Sequence, residues 1–534
     1  MLMISVISSL IMSLILLYVL YFRSKALMKF FQQEEYDNAR FLKWFKQSKA
    51  YDKGASAVLL ISFAGVLFTE YAHIASGVTL LGLIIAHILS RRAIENSKKP
   101  LVNTDRVKRI TRVYILINIF ILLSIYVVSN NFLTNFALEA FILLQSTPLL
   151  MVLSNKLLEP SENRVRAAFK AEADAKFAKL SPRVIGITGS FGKTSTKHIL
   201  NHILSTAQPT LATPGSVNTI MGITRVIREQ LKPDHHFFIV EMGAYGPGSI
   251  ASLAAFTPPE VGLITAVGAA HYERFKSLET VARAKFELAE NVFSHGGTMI
   301  VNSDGIDKTL LEDRIKSVPG PYKIVGEGQP FHLISVRMDE AGTHIELMDD
   351  DGTPQKLLIP LYGMHQAENT LLAVATARAL GLPWSVIRGA MRNMPQIKHR
   401  VEVTKTEGQP IIINDAYNSN PIGFAAALDV LDILKRKGKR YLLTPGMVEL
   451  GATHEQEHEK LGTLAAQKAD IILAVTPDRI PSFVAAAKAE KAADVHCFDT
   501  QEAAQTWLNA HITADDVVLF ENNLPDLYEA KISF

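Results

Sequence analysis

Residues Val184–Thr196 read VIGITGSFGKTST, a stretch that leaves a chain little choice of fold. The apolar run Val184-Ile185-Gly186-Ile187 predicts a buried strand, Gly189 and Gly192 open a turn, and KTSTKHILNHIL predicts a helix. Strand–turn–helix units of this kind build parallel sheets covered by helices. The turn also has the composition of a phosphate cradle. Its glycines let backbone N–H groups close on phosphate oxygens, and the helix N-terminus adds positive partial charge. Lys193 is expected to reach the β/γ-phosphates and the Thr194 hydroxyl to ligate Mg²⁺. The match to G-x-x-x-x-G-K-[ST] is incomplete, with Ile187 at the first glycine position.

The rest of the chain divides around this stretch. Hydrophobic residues make up 48% of the 534, and the excess lies before Asn155. Met3–Phe22 carries no charge and is long enough to cross a bilayer. No basic segment precedes it and no small-residue cleavage site follows, so it reads as a retained span and not a signal peptide. Ala55–Ser90 reads as two spans with a tight turn at Glu70, Tyr71 and His73. Val113–Ser129 is a fourth span, and Phe132–Ser154, which holds Glu139, Gln145 and Pro148, a fifth. Arg23–Lys53 and Arg91–Arg112 each carry eight Lys/Arg, whereas the turns around Tyr71–His73 and Ser129–Asn131 carry none. The positive-inside rule then puts both basic loops in the cytoplasm, the N-terminus outside, and everything after Asn155 inside, where ATP is. The expected location is the cytoplasmic membrane, multi-pass. Glu139 is either a functional intramembrane group or faces a neighbouring helix. The basic loops either bind anionic headgroups or only set topology. A net charge of +3 gives no argument for nucleic-acid binding, and a single cysteine, Cys497, excludes an intrachain disulfide framework.

Beyond the charged, helical connector Glu162–Lys179, strands and helices alternate through FFIVEMG, VGLITAVG and TMIVNSDG. Glu241, at the end of the strand Phe237–Val240, is well placed to hold Mg²⁺. His271 follows the next strand as a metal, phosphate or structural residue. From His399 a smaller α/β unit begins, with strands at Ile411–Ile413, YLLTPG, IILAV and VVLF. Its Asn-rich stretch, Asn414 to Pro421, caps the following helix, contacts substrate, or does both.

Taken in order, TGSFGKTS, VEMGAYGPGSI, GAAHYERFKSLETVARAKFEL, VNSDG and GMHQAENTLLAVATARALGLP resemble the Mur ligase family, closest to its D-alanyl-D-alanine-adding members. The resemblance covers roughly residues 181–515. It implies a central nucleotide domain over 156–398 and a closing domain over 399–534, after a membrane module over 1–155. It assigns Gly189, Ser190, Gly192, Lys193, Thr194 and Ser195 to the phosphate loop. Thr194, Glu241 and His271 become Mg²⁺ ligands, joined by Lys285, a position often carbamylated in the family. Asn302, His365, Asn369, Arg400 and Asp415 fall at the nucleotide. Thr213 and Asn218 fall in the loop facing the acceptor carboxylate, and Tyr417, Asn418, Asn420 and Glu449 near the amino substrate. Lys193, Lys285, His271 and Arg400 are the expected catalytic set.

The implied reaction joins a carboxylate-bearing precursor to an amino acid or dipeptide at the expense of ATP, with Mg²⁺, through an acyl phosphate. Four departures stand out. Asn414 replaces an acid, Pro445-Gly446-Met447 replaces Gly-Asp-Met, and Glu521-Asn522-Asn523 stands where the family has Lys-Gly-Ser. Predicted spans also stand in place of the UDP-binding domain. A polyglutamate-type ligase and a non-catalytic nucleotide-binding scaffold are the competing readings.

Overall fold

The computed structural model describes residues 2–66, 72–95, 100–128, 132–268, 275, 277–416, 419–448 and 450–522. The chain divides into two compact units, one ending at Val165 and the other starting at Arg166.

The first unit is helical: Leu2–Gln33, Asn38–Gln47, Gly54–Val66, Ala72–Glu95, Asp105–Val128, and Phe132–Leu180, which runs on into the second unit. The described parts of each apolar segment are helical, and Pro148 in the last is carried inside its helix. Among the described residues four are long and apolar enough to cross a membrane, over Ile7–Gln33, Ser76–Glu95, Asp105–Val127 and Asn135–Leu180, and the apolar helix Gly54–Gly65 is shorter. Glu70 and Tyr71 of the expected turn lie outside the described residues, and His73 is already helical.

Two segments differ from the sequence reading. The first basic loop is largely helical: the first helix continues to Gln33, and Asn38–Gln47 forms another. Phe41, Trp44 and Phe45, at helical spacing, face inward there, while Lys43 and Lys46 stay exposed. Asp37 caps this helix, accepting the N–H groups of Ala39 and Arg40 at 2.9 Å. The fifth span and the charged connector are one 49-residue helix with Pro148 and Pro160 inside it.

Buried polar groups in this unit mostly pair with one another. Arg23 forms an ion pair with Asp52. Gln145 donates to the Asp52 carbonyl at 2.6 Å and to Ser56 at 2.9 Å. Glu139 faces the unit's interior, 6% exposed, with no hydrogen bond to either carboxyl oxygen.

The second unit holds three sheets. The first runs β2-β3-β1-β4-β5-β6, all parallel: β1 (Arg183–Thr188), β2 (Thr210–Ala212), β3 (Phe237–Glu241), β4 (Val261–Ile264), β5 (Thr298–Asn302) and β6 (Tyr322–Val325). Its strands are near-continuous buried runs, as a sheet covered on both faces requires. The second is a small antiparallel sheet of β7 (His332–Asp339), β8 (Gly342–Met348) and β9 (Pro354–Ile359), which the sequence reading did not foresee. It packs with the first sheet in one core through Ile345, Leu347, Leu357 and Ile359.

The third sheet runs β10-β11-β15-β12-β13-β14: β10 (Glu402–Thr404), β11 (Ile411–Asp415), β12 (Arg440–Thr444), β13 (Ile471–Val475), β14 (Asp494–Phe498) and β15 (Val517–Glu521). Only its edge strand β10 is antiparallel. In both six-stranded sheets the chemistry-bearing residues sit at the carboxyl ends of the strands, where open α/β sheets place their ligands.

Candidate active site

The turn after β1 is shaped by its glycines. Gly189 and Gly192 have φ of +154° and +80°. A Cβ on Gly192 would come within 2.4 Å of Asn369 Oδ1, and one on Gly189 within 1.9 Å of Thr265 Oγ1. Asn369, on the helix Met364–Ala379, is thus brought against the turn, and Thr196 donates to its Oδ1 at 3.1 Å. Ser190 is fixed on the other side: its N–H donates to the Ala266 carbonyl at 2.8 Å and its hydroxyl to the Gly268 carbonyl at 3.0 Å.

Gly192 then starts the helix Lys193–Ser205. Lys193 Nζ folds back over the turn and donates to the Gly189 carbonyl at 2.6 Å. A phosphate group would offer this ammonium a charged acceptor in place of that carbonyl. Ser195 is buried at the base of the helix.

Glu241, at the end of β3, is 1% exposed. Thr194 Oγ1 donates to its Oε2 at 3.0 Å, and Asn218 Nδ2 to its Oε1 at 3.2 Å. Thr213 Oγ1 accepts the Glu241 N–H at 3.1 Å. Two oxygens on adjacent corners of an octahedral Mg²⁺ stand about 2.9 Å apart. The Thr194–Glu241 pair, 3.0 Å apart, has a spacing at which both oxygens would be able to ligate one such ion. Among the described residues no three His, Cys, Asp or Glu converge, and His271 lies outside them.

Lys285, 4% exposed on the helix Leu278–Ser294, lines one cavity with Gly189, Ser190, Lys193, Asn218, Gly243 and Tyr245. Burial, with the Lys193 charge nearby, holds its amine well below the usual lysine range. Lys193 is lowered too, by burial first, with Glu241 opposing.

Farther round the edge, His365 Nδ1 is buried without a partner, and burial, then Arg400, lowers the ring to about 4, so it is neutral at pH 7. Asn302, 4% exposed at the end of β5, accepts the Asp304 N–H at 3.3 Å. In the third sheet, Asp415 accepts the Val401 N–H at 3.1 Å, beside Arg400.

Asp415 stands in register with Glu521. Burial raises Asp415 to about 6, with Arg400 opposing, and burial together with Asp415 pushes Glu521 well above the usual range. Asn420 is the N-cap of the helix Pro421–Ile433, its side chain accepting the Gly423 N–H at 3.0 Å. Tyr417, Asn418 and Glu449 lie outside the described residues.

One residue of this site was missed from the sequence. Lys197 forms a buried ion pair with Glu241 at 2.8 Å. The signal was a lysine one turn past Lys193 on the face that also buries Leu200 and Leu204.

Comparison with known proteins covers the same two sheets. Residues 187–377 match the Mur ligase middle domain and residues 399–521 the Mur ligase, glutamate ligase domain. The UDP-N-acetylmuramoyl-tripeptide–D-alanyl-D-alanine ligase of Escherichia coli (strain K12) is 31% identical over 316 residues, 58% of this chain and 68% of the relative. The enzyme of the same name from Bacillus subtilis (strain 168) is 28% identical over 313 residues, 59% of this chain and 64% of the relative. The chain thus spans just under two thirds of the Bacillus protein's length. The crystal structure of MurF ligase from Thermotoga maritima in complex with ADP aligns with a TM-score of 0.57 at 25% identity, over 69% of this chain and 82% of that one. Residues 1–186 fall outside both matched domains.

Proposed function

Because this chain belongs to the Mur ligase family, we propose that it is a membrane-anchored, ATP-dependent amide ligase acting on a cell-envelope precursor. One observation carries the reading: Lys193, Lys285 and Asn218 line a single cavity at the phosphate turn, with the Thr194–Glu241 oxygen pair 3.0 Å apart at its side. That is the equipment for bringing a carboxylate and a γ-phosphate together.

A carboxylate is a poor electrophile. One of its oxygens attacks the γ-phosphorus, the bond to ADP breaks, and an acyl phosphate forms. The amine then attacks the acyl carbon, phosphate leaves, and the nitrogen loses a proton. Lys193 balances the charge of the transferring group, and Asn218 and Thr213 shape the acceptor side. Mg²⁺ held by Thr194 and Glu241, with His271 and, once carbamylated, Lys285 as further ligands, would offset the repulsion between the two anions. Asn302, His365, Asn369, Arg400 and Asp415 hold the nucleotide. Tyr417, Asn418, Asn420 and Glu449 receive the amino substrate on the closing domain, whose closure keeps water from the acyl phosphate.

The division is a membrane module over 1–155, a nucleotide domain over 156–398 and a closing domain over 399–534. The relatives' names supply the first candidate substrates, UDP-N-acetylmuramoyl-tripeptide and D-alanyl-D-alanine. A second reading keeps the chemistry and changes the amino substrate. It is favoured by the paired carboxyls of Asp415, half-buried, and Glu521, buried, on adjacent strands of the third sheet.

The test is product analysis with detergent-solubilised protein, ATP, Mg²⁺, a panel of amino acids and dipeptides, and UDP-linked or lipid-linked muramoyl peptides. Amide formed with matching ADP supports the reading, and the acceptor used separates a soluble from a lipid-linked precursor. No ADP with any pairing would leave a nucleotide-binding scaffold. A reporter fused after Phe534 is expected in the cytoplasm; its appearance outside would overturn the membrane topology.

A further inference from the structure

Lys197 lies one helical turn beyond Lys193 and is 3% exposed. Its ammonium donates to Glu241 Oε2 at 2.8 Å, to the Gly215 carbonyl at 2.5 Å and to Thr213 Oγ1 at 3.5 Å. These acceptors belong to the end of β3 and to the loop after β2. The same Glu241 Oε2 accepts from Thr194 on the helix, and Oε1 accepts from Asn218 at the far end of that loop. One ammonium thus joins the phosphate-turn helix, the acceptor loop and the carboxylate that faces the cation position.

The physical need is plain. A buried carboxylate stays ionised only if it is paired and hydrogen-bonded. Lys193 does not supply the pairing bond, because its hydrogen bonds go to the carbonyls of Gly189 and Ser190. Lys197 does, and with Thr194 and Asn218 it fixes both carboxyl oxygens of Glu241 before any cation arrives. The same ammonium lies beside any cation that Glu241 ligates and repels it.

We propose that Lys197 is a positioning residue, a built-in counter-ion whose ammonium holds the Glu241 carboxylate in place in the cation-free protein. It sets the cation affinity of the site below what the carboxylate alone would give, and it ties the 213–218 loop to that carboxylate. The proposal rests on the reading of Glu241 as a cation ligand in a nucleotide site.

The test uses the full chain in detergent, with Mn²⁺ and a non-hydrolysable ATP analogue as probes. Free Mn²⁺ is followed by electron paramagnetic resonance, and thermal melting is recorded with and without the probes. Lys197→Met is expected to melt lower without cation, to bind Mn²⁺ on the order of tenfold more tightly, and to gain more in melting temperature on loading. Amide exchange over residues 214–218 should speed up. Lys197→Arg, which keeps the charge, should return Mn²⁺ affinity towards that of the parent. Unchanged or weaker Mn²⁺ binding in Lys197→Met would overturn the proposal, since loss of packing alone lowers stability without strengthening cation binding.

The double variant Lys197→Met/Glu241→Gln removes both charges and should recover most of the cation-free stability. A double variant as unstable as Lys197→Met alone would also overturn the counter-ion role. A parent protein that binds no Mn²⁺-nucleotide would count against the nucleotide reading itself, and the cation-free melting of the double variant would still decide Lys197.

Discussion

At the carboxyl edge of the first six-stranded sheet, the Glu241 carboxylate pairs with Lys197 and lies near Lys193, which in turn lies near Lys285. At the same edge of the third sheet, two carboxyls, Asp415 and Glu521, lie side by side on paired strands, with Arg400 near the first. The backbone plan is nearly the same: parallel strands, helices between them, and polar residues where the strands end. What differs is the sign of the buried charge. The first edge gathers amines around a carboxylate, and the second brings two carboxyls together, each raised by burial, with Arg400 opposing at Asp415. Fold alone therefore does not specify the role of either edge; the side chains at the strand ends do.

The largest expected break in this comparison is Lys193→Ala. Removing the ammonium that answers the transferring phosphate should lower ADP release by about a thousandfold while leaving the melting of the helical unit unchanged. Near-normal turnover would mean that the cation-rich edge is not the reaction site. Glu241→Gln and Lys285→Ala should each cost about a hundredfold in kcat, and a rate close to the parent's for either would remove that residue from the cluster.

The two edges should also respond oppositely to pH. His365 is lowered from 6.5 to about 4 on folding, so the folded chain binds fewer protons there. Its contribution to stability is present above pH 6.5 and is lost as pH falls towards 4. Asp415 is raised from 3.8 to about 6, so the folded chain binds more protons there. Its contribution is full below pH 3.8 and is lost as pH rises through 6, and Glu521, also raised, has the same sign. Melting temperatures between pH 4 and 8 should show this. Glu521→Gln should flatten the loss on the alkaline side, and His365→Gln the loss on the acid side. A Glu521→Gln protein that keeps the parent's alkaline slope would rule out the carboxyl pair as its source.

The smallest effect sharpens the comparison on the acid-rich side. Asn420→Ala removes an N-cap and should cost ~1 kcal/mol of stability in denaturant titration. A drop in kcat/KM for the amine well beyond what that explains would show Asn420 touching substrate as well as capping its helix.

These edges were unequally legible in the sequence. Lys193, Thr194 and Glu241 could be read because strand, glycine turn and helix are local signals, and a carboxylate at a strand end has a fixed place in a parallel sheet. Lys197 could not be separated from an ordinary surface lysine until the helix showed which face it buries. The β7–β9 sheet escaped notice because its strands mix polar and apolar residues, with burial alternating along β9, and lack the continuous apolar runs of the parallel strands. The helix Asn38–Gln47 was hidden by its own charge, since a basic run reads as a loop until Phe41, Trp44 and Phe45 are seen to share a side. The Asp415–Glu521 pairing is a matter of strand order, which places β15 beside β11 and so pairs residues 106 positions apart in the chain.

The central claim is that the cation-rich edge activates a carboxylate by phosphorylation. The most direct measurement supplies UDP-N-acetylmuramoyl-tripeptide labelled with ¹⁸O in its terminal carboxylate, together with ATP, Mg²⁺ and D-alanyl-D-alanine, and weighs the released phosphate by mass spectrometry. Passage through an acyl phosphate predicts one ¹⁸O in each phosphate formed, with none released by Lys193→Ala. Unlabelled phosphate accompanying amide, or label transfer that survives Lys193→Ala, would contradict the account.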